Sequence, residues 1–342
     1  MKRDLKKIIS QMTLEEKAGM CSGLDFWHLK SVERLGIPEV MVSDGPHGLR
    51  KQDDKGDHLG MNDSIKAVCF PPAALSACSF DRSLMEAMGE TIGREAQAND
   101  VSVVLGPAVN IKRSPLCGRN FEYYSEDGVL SGDIATSAIQ GAQAHGVYAY
   151  MKHFALNDQE TNRCSFLLTF ASEQTIREGY LKAFELATKG FEGKAMAVMS
   201  SFNWIGTVPS CANNELLNNV LRGEWGFVGM VETDYDGSYG YMITDHCIRN
   251  GNDLMLGFNS AESNKLTDES ATAVLAMRQA CKNILYTVAN SGYYADGNPA
   301  TGMTNMTKLF VMIDVILAVV LIVVDTIVIV RWRKKKKQAV NE

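Results

Sequence analysis

Short apolar runs alternate with amphipathic helical segments along residues 1–292, and this alternation is the tightest constraint on the fold. Runs ending in polar or glycine residues read as strands at 39–43, 101–105, 147–151, 195–199, 227–232 and 253–256. Residues 81–99, 128–145, 172–189, 214–224 and 269–290 between and after them carry helical spacing. Strand and helix in alternation imply an α/β fold with a parallel sheet and crossover helices. A TIM-type (β/α)8 barrel fits a stretch of about 290 residues, and a doubly wound open sheet is the alternative. No GxGxxG or GxxxxGK[ST] follows any of these runs, so nucleotide binding has no support.

Beyond the domain over 1–292, the composition changes twice. Residues 293–308 form a polar linker rich in Gly, Asn and Thr, and 309–330 form an apolar run. As a helix that run is roughly 33 Å long, about one hydrocarbon core. Asp314 and Asp325 interrupt it, each costing about 2.5–3.5 kcal/mol at a membrane centre. Weighed against the Val, Ile, Leu and Phe residues, a single transmembrane helix is expected over 309–330. The tail 331–342 begins RWRKKKK, which places the C-terminus in the cytoplasm and the large domain outside. The N-terminal MKRDLKKIISQMTLEEK is a charged amphipathic helix without the shape of a signal peptide.

The net charge is −6, and removing the six basic residues of the tail leaves −12 on the rest. An acidic globular part disfavours a nucleic-acid partner and suits a neutral substrate such as a sugar. The eight cysteines are scattered without a CxxC pair, and the histidines lack HExxH spacing. No metal set or cofactor is expected, and the cysteines read as mostly buried thiols.

Polar clusters follow the candidate strands directly. They are Ser43–Arg50, the segment from Gly106 to Glu122, Lys152-His153 with Asn157–Arg163, Ser200–Asn203, and Thr233-Asp234-Tyr235-Asp236-Gly237. In a parallel barrel these ends share one face, and that face carries the active site. Asp, Arg, Lys, His and Asn beside aromatic residues suit sugar hydroxyls and the C–H face of a sugar ring. No GxSxG elbow marks a serine nucleophile.

The segments SDGPHGLR, GPAVNIKRSPLCGRNFEYYSEDG, KHFALNDQETNR, ASEQTIREGYLKAFE, MSSFN and LRGEWGFVGMVETDYDG resemble glycoside hydrolase family 3, in the family's order and over residues 8–290. The resemblance implies a barrel that hydrolyses terminal non-reducing β-glycosidic bonds with retention, most readily those of β-glucosides. It implies Asp234 as nucleophile. It also implies sugar contacts from Asp44, Arg119, Lys152, His153 and Arg163, with Phe202 and Tyr235 beside them.

Three departures qualify the resemblance. Tyr235 stands where the family has Trp, so altered sugar or aglycone preference is expected. Phe202 stands where the family has Tyr and removes one hydroxyl near the nucleophile. The third concerns the acid/base glutamate, which in most of the family lies in a separate α/β sandwich domain. Within this chain, Glu122, Glu126, Glu160 and Glu232 are poor candidates for it. KHFALNDQETNR also lacks the Asp-His dyad of the KHFPGHG branch. A barrel followed by an anchor reads as the C-terminal half of a member whose sandwich domain comes first, with the acid/base supplied by that domain or by a partner. The rival readings are a membrane-tethered sugar-binding pseudoenzyme and a truncated, inactive barrel.

Overall fold

The computed structural model describes residues 4–52, 62–190, 195–235, 240–257, 266, 268–294 and 305–338. Most of the expected linker over 293–308, and Asp236 and Gly237, lie outside them. The chain divides into two units, Met1–Asp296 and Gly297–Glu342.

The first unit is built on a six-stranded sheet. Its strands are β1 (His28–Leu29), β2 (Val40–Asp44), β3 (Val101–Leu105), β4 (Tyr148–Phe154), β6 (Ala197–Ser200) and β9 (Met230–Glu232), in the order β1-β2-β3-β4-β6-β9. Three short strands, β5 (Leu168–Thr169), β7 (Trp204–Ile205) and β8 (Val208–Pro209), form a separate small sheet. In the main sheet β1 runs antiparallel to β2, and every later neighbour is parallel.

The closed eight-stranded barrel is corrected. The described sheet is a curled half-barrel with five parallel strands. The run at 253–256 contributes only a bridge between Glu232 and Leu254, because the Asp253 carboxylate, in place of a backbone carbonyl, accepts the Val231 N–H of β9, while Asn252 Nδ2 donates to Leu254 O. Chain length suggested eight units, but much of that length goes into the long connections after β2 and β4.

The crossover helices begin where acidic caps satisfy the orphan backbone donors. Asp81 accepts from Ser83 and Leu84 N–H at the start of Arg82–Ala98. Asp127 accepts from Val129 and Leu130 N–H at the start of Gly128–Ala144. These two helices pack closely, since a Cβ on Gly89 would sit 2.1 Å from Ala138 O and one on Gly141 2.1 Å from Glu86 O.

Buried on both faces, β3 and β4 are apolar for most of their length, as parallel strands under helices are. One face packs against the crossover helices through Val104, Met151, Val198 and Val231. The other face carries Val42, Val103, Tyr150, Met199 and Met230. The helices Leu5–Gln11, Leu14–Ser22 and Ala271–Asn290 pack on this second core. Met255 N–H donates to Cys21 O at 2.9 Å, joining the last bridge to the end of an N-terminal helix. Four cysteines are buried, two are intermediate and two are exposed, fewer buried than expected.

In the second unit, Asn305–Gln338 is a helix that contains the apolar run and the start of the basic tail. No helix among the described residues is long and apolar enough to cross a membrane. The transmembrane helix expected over 309–330 is therefore corrected. The weighting from sequence let aliphatic residues outvote the two carboxylates that interrupt the run at positions 314 and 325.

Candidate active site

Side chains alternate along a strand, so one register decides which face they share. Val42 and Asp44, Tyr150 and Lys152, and Met230, Glu232 and Asp234 follow this period. The apolar members and Glu232 form the floor of the curled sheet, and Asp44, Lys152 and Asp234 stand at the C-terminal strand ends.

Lys152 is buried, and its ammonium donates to Asp44 Oδ1 at 3.0 Å and reaches Glu122 Oε1 at 3.1 Å. Arg119 grips the same Glu122 with two donors, Nε at 2.7 Å and Nη2 at 3.0 Å. Burial alone would raise the Glu122 carboxyl, but Lys152 and Arg119 outweigh it and hold it down to about 2. Burial opposes the charge on Lys152, yet Asp44 and Glu122 hold its ammonium above the ordinary range.

Asp234 sits two residues past β9 and is buried. Its Oδ1 accepts from Tyr235 N–H at 2.8 Å, while Oδ2 has no hydrogen-bond partner. His153 Nε2 lies 3.9 Å and Arg163 Nη1 3.8 Å from that oxygen. Burial pushes the Asp234 carboxyl above its ordinary value, and Arg163, Arg119 and Lys152 counter part of the rise. Burial, then Arg119, Lys152 and Arg163, push His153 well below the ordinary imidazole range, so its ring is neutral.

Neighbours fix both side chains. The Asn110 side chain clamps the His153 backbone, donating to its carbonyl at 2.8 Å and accepting its N–H at 2.6 Å. The Tyr123 hydroxyl lies 3.3 Å from His153 Nδ1 and accepts from Asn157 Nδ2 at 3.0 Å. Arg163 bonds Glu160 through Nε at 3.2 Å and lies over the Phe202 ring, 4.5 Å from its centroid. Phe26 meets the Tyr235 ring at 5.7 Å.

The structure thus gathers Asp44, Arg119, Lys152, His153, Arg163, Phe202, Asp234 and Tyr235 into one connected cluster. Residues 28–255 match the family model described as the Glycosyl hydrolase family 3 N terminal domain.

The chain belongs to glycosyl hydrolase family 3.

That match corrects the expectation of a C-terminal half, since the strands carrying the cluster make up the family's N-terminal domain. Among curated relatives, thermostable beta-glucosidase B of Acetivibrio thermocellus is 47% identical over 282 residues, covering 82% of this chain and 36% of that protein. An exo-alpha-(1->6)-L-arabinopyranosidase of Bifidobacterium longum is 45% identical over 228 residues, covering 66% of this chain and 30% of the relative. The fold is similar to that of beta-glucosidase 3B from Thermotoga neapolitana in complex with alpha-D-glucose. The TM-score there is 0.73 at 34% identity, over 84% of this chain and 43% of that one. The chain spans about a third of the length of these curated relatives.

Four groups escaped functional notice in the sequence. Asn110, Tyr123 and Asn157 act on His153 from the next layer out, and Glu122 had been weighed only as an acid. The polar run from Gly106 to Glu122 held two of these four, but nothing in its spacing shows which side chain a later strand will bring to it.

Proposed function

We propose that this family 3 chain carries the nucleophile and sugar-binding subsite for retaining hydrolysis of terminal β-glycosides, most readily β-glucosides. One observation carries the reading. Asp234 presents a buried carboxylate oxygen with no hydrogen-bond partner, flanked by a neutral imidazole and a guanidinium. An unsolvated carboxylate oxygen is a better nucleophile than one tied up by hydrogen bonds. The relatives' own names, beta-glucosidases among them, favour the glucoside class.

In the first step Asp234 Oδ2 bonds to the anomeric carbon as the bond to the leaving oxygen breaks. The leaving oxygen takes a proton from an acid. In the second step water attacks the glycosyl ester, loses a proton to the same group, and frees Asp234. Retention by this route needs a second carboxyl about 5–5.5 Å from the first.

The four internal candidates for that acid fit poorly. Glu122 is ionised between two cations. Glu126 is exposed, and Glu160 is paired with Arg163. Burial keeps Glu232 protonated, but it sits one pleat deeper, on the Tyr150 floor, 1% exposed. We therefore assign the acid/base to a segment or partner outside these residues.

Rates of the full chain on cellobiose and on a dinitrophenyl β-glucoside test this. The activated substrate needs no proton, so it should turn over while cellobiose lags by about 10²–10⁴ in relative proficiency. Equal proficiency on both would place the acid inside the chain and sink the split site. Glucose binding without turnover of either would favour a sugar-binding role.

A further inference from the structure

Glu122 is the least exposed carboxylate in the cluster apart from Glu232, and the reaction has no direct task for it. It is also the most connected. Both its oxygens are used: Arg119 takes one through Nε at 2.7 Å, and Arg119 Nη2 and Lys152 Nζ share the other at 3.0 and 3.1 Å. Lys152 then passes the constraint to Asp44 at 3.0 Å. Three chain segments, the end of β2, the end of β4 and the loop after β3, are thus joined through one buried anion.

From this geometry we infer that Glu122 is a positioning residue: it holds Arg119 and Lys152, and through Lys152 Asp44, aimed at the sugar hydroxyls without touching the sugar. The inference rests on the glycoside-site reading above. Two cations brought this close would repel each other and compete for Asp44 without an anion between them. Arg119 is a planar fork, so its bidentate grip fixes its orientation as well as its charge. Lys152 is a flexible point charge, and its two anions at 3.0 and 3.1 Å narrow the positions open to it. The charged and titratable groups facing this knot are Asp44 and His47 from the β2 end, Arg119 and Tyr123 from the loop after β3, Lys152 and His153 from β4, and Asp234 from the β9 end.

Glu122→Gln keeps the shape and removes the charge. Calorimetric titration of the full wild-type and variant chains with glucose, repeated from neutral to alkaline pH, reads the consequence. We expect at least tenfold weaker glucose binding in the variant at neutral pH. We also expect its alkaline loss of binding to begin at lower pH, because Lys152 keeps only Asp44 as a counter-charge. A merely structural glutamate would lower the melting temperature without moving that alkaline limb. Direct titration of the Lys152 ammonium by nitrogen NMR needs no ligand and covers a variant that binds too weakly to measure, and there the lysine should deprotonate at lower pH than in wild type. Affinity within twofold of wild type with an unmoved alkaline limb would overturn the inference while leaving the glycoside site intact. A folded wild-type chain that binds neither glucose nor gluconolactone would instead overturn the site reading, and this inference with it.

Discussion

Two buried carboxyls give the protein opposite responses to pH. Glu122 lies below its ordinary value of 4.5, at about 2. Its contribution to stability is complete above pH 4.5 and is lost as pH falls toward 2, by roughly 3 kcal/mol at one unit per 1.36 kcal/mol. Asp253 behaves the other way. Burial lifts it from 3.8 to about 6, against the opposing pull of Arg222, Val231 N–H and Asn283. A raised carboxyl favours the protonated folded state, so folding loses roughly 3 kcal/mol as pH rises from about 4 to 6. Urea unfolding of wild type and Asp253→Asn across that window should show the wild type losing stability relative to the variant. Parallel curves would contradict the assignment. Activity should have an acidic limb set by Asp234, displaced upward by burial, with no limb from His153, whose ring is already neutral. Kinetics on the dinitrophenyl glucoside from pH 4 to 8 would check it, and a His153→Asn variant that kept the limb in place would agree.

Among the elements, the pair of helices Arg82–Ala98 and Gly128–Ala144 sets how tightly β3 and β4 are covered. Their contact depends on Gly89 and Gly141, where an added methyl group meets a backbone carbonyl at 2.1 Å. Gly89→Ala should destabilise the fold by about 1–3 kcal/mol through overpacking, read as a lower melting temperature, even though alanine is the better helix former. An unchanged or raised melting temperature would show that the helices can separate without cost. These elements were legible because their signals are local. Asp81 and Asp127 mark helix starts, and the run at 101–105 became β3 at the expected bounds. The run at 253–256 misled because an apolar stretch beside Asn252 and Asp253 resembles a strand, while its backbone bonds are decided by the partners it meets. The partners of Glu122 were only half legible for the same reason: Arg119 is three residues away, but Lys152 arrives from another strand.

The whole molecule consists of a curled half-barrel over Met1–Asp296 and a helical unit beyond it. Among the described residues the hydrophobic clusters lie in the first unit. Length and hydropathy misled at this scale. They suggested eight barrel units and a membrane span because they count residues without seeing where the chain spends them. The site, by contrast, is assembled by the whole half-barrel, since β2, β3, β4 and β9 each deliver or position part of it. The nucleophile proposed within this assembly is Asp234. The direct measurement is incubation of the full chain with dinitrophenyl 2-deoxy-2-fluoro-β-glucoside, followed by mass spectrometry of the intact protein and its peptides. The fluorine slows release of the intermediate, and the good leaving group removes the need for an acid. One fluoroglucosyl adduct per chain is expected, on Asp234, and none in Asp234→Asn. A folded chain that stays unlabelled by the glucoside, xyloside and galactoside reagents, or a label on another carboxylate, would contradict it.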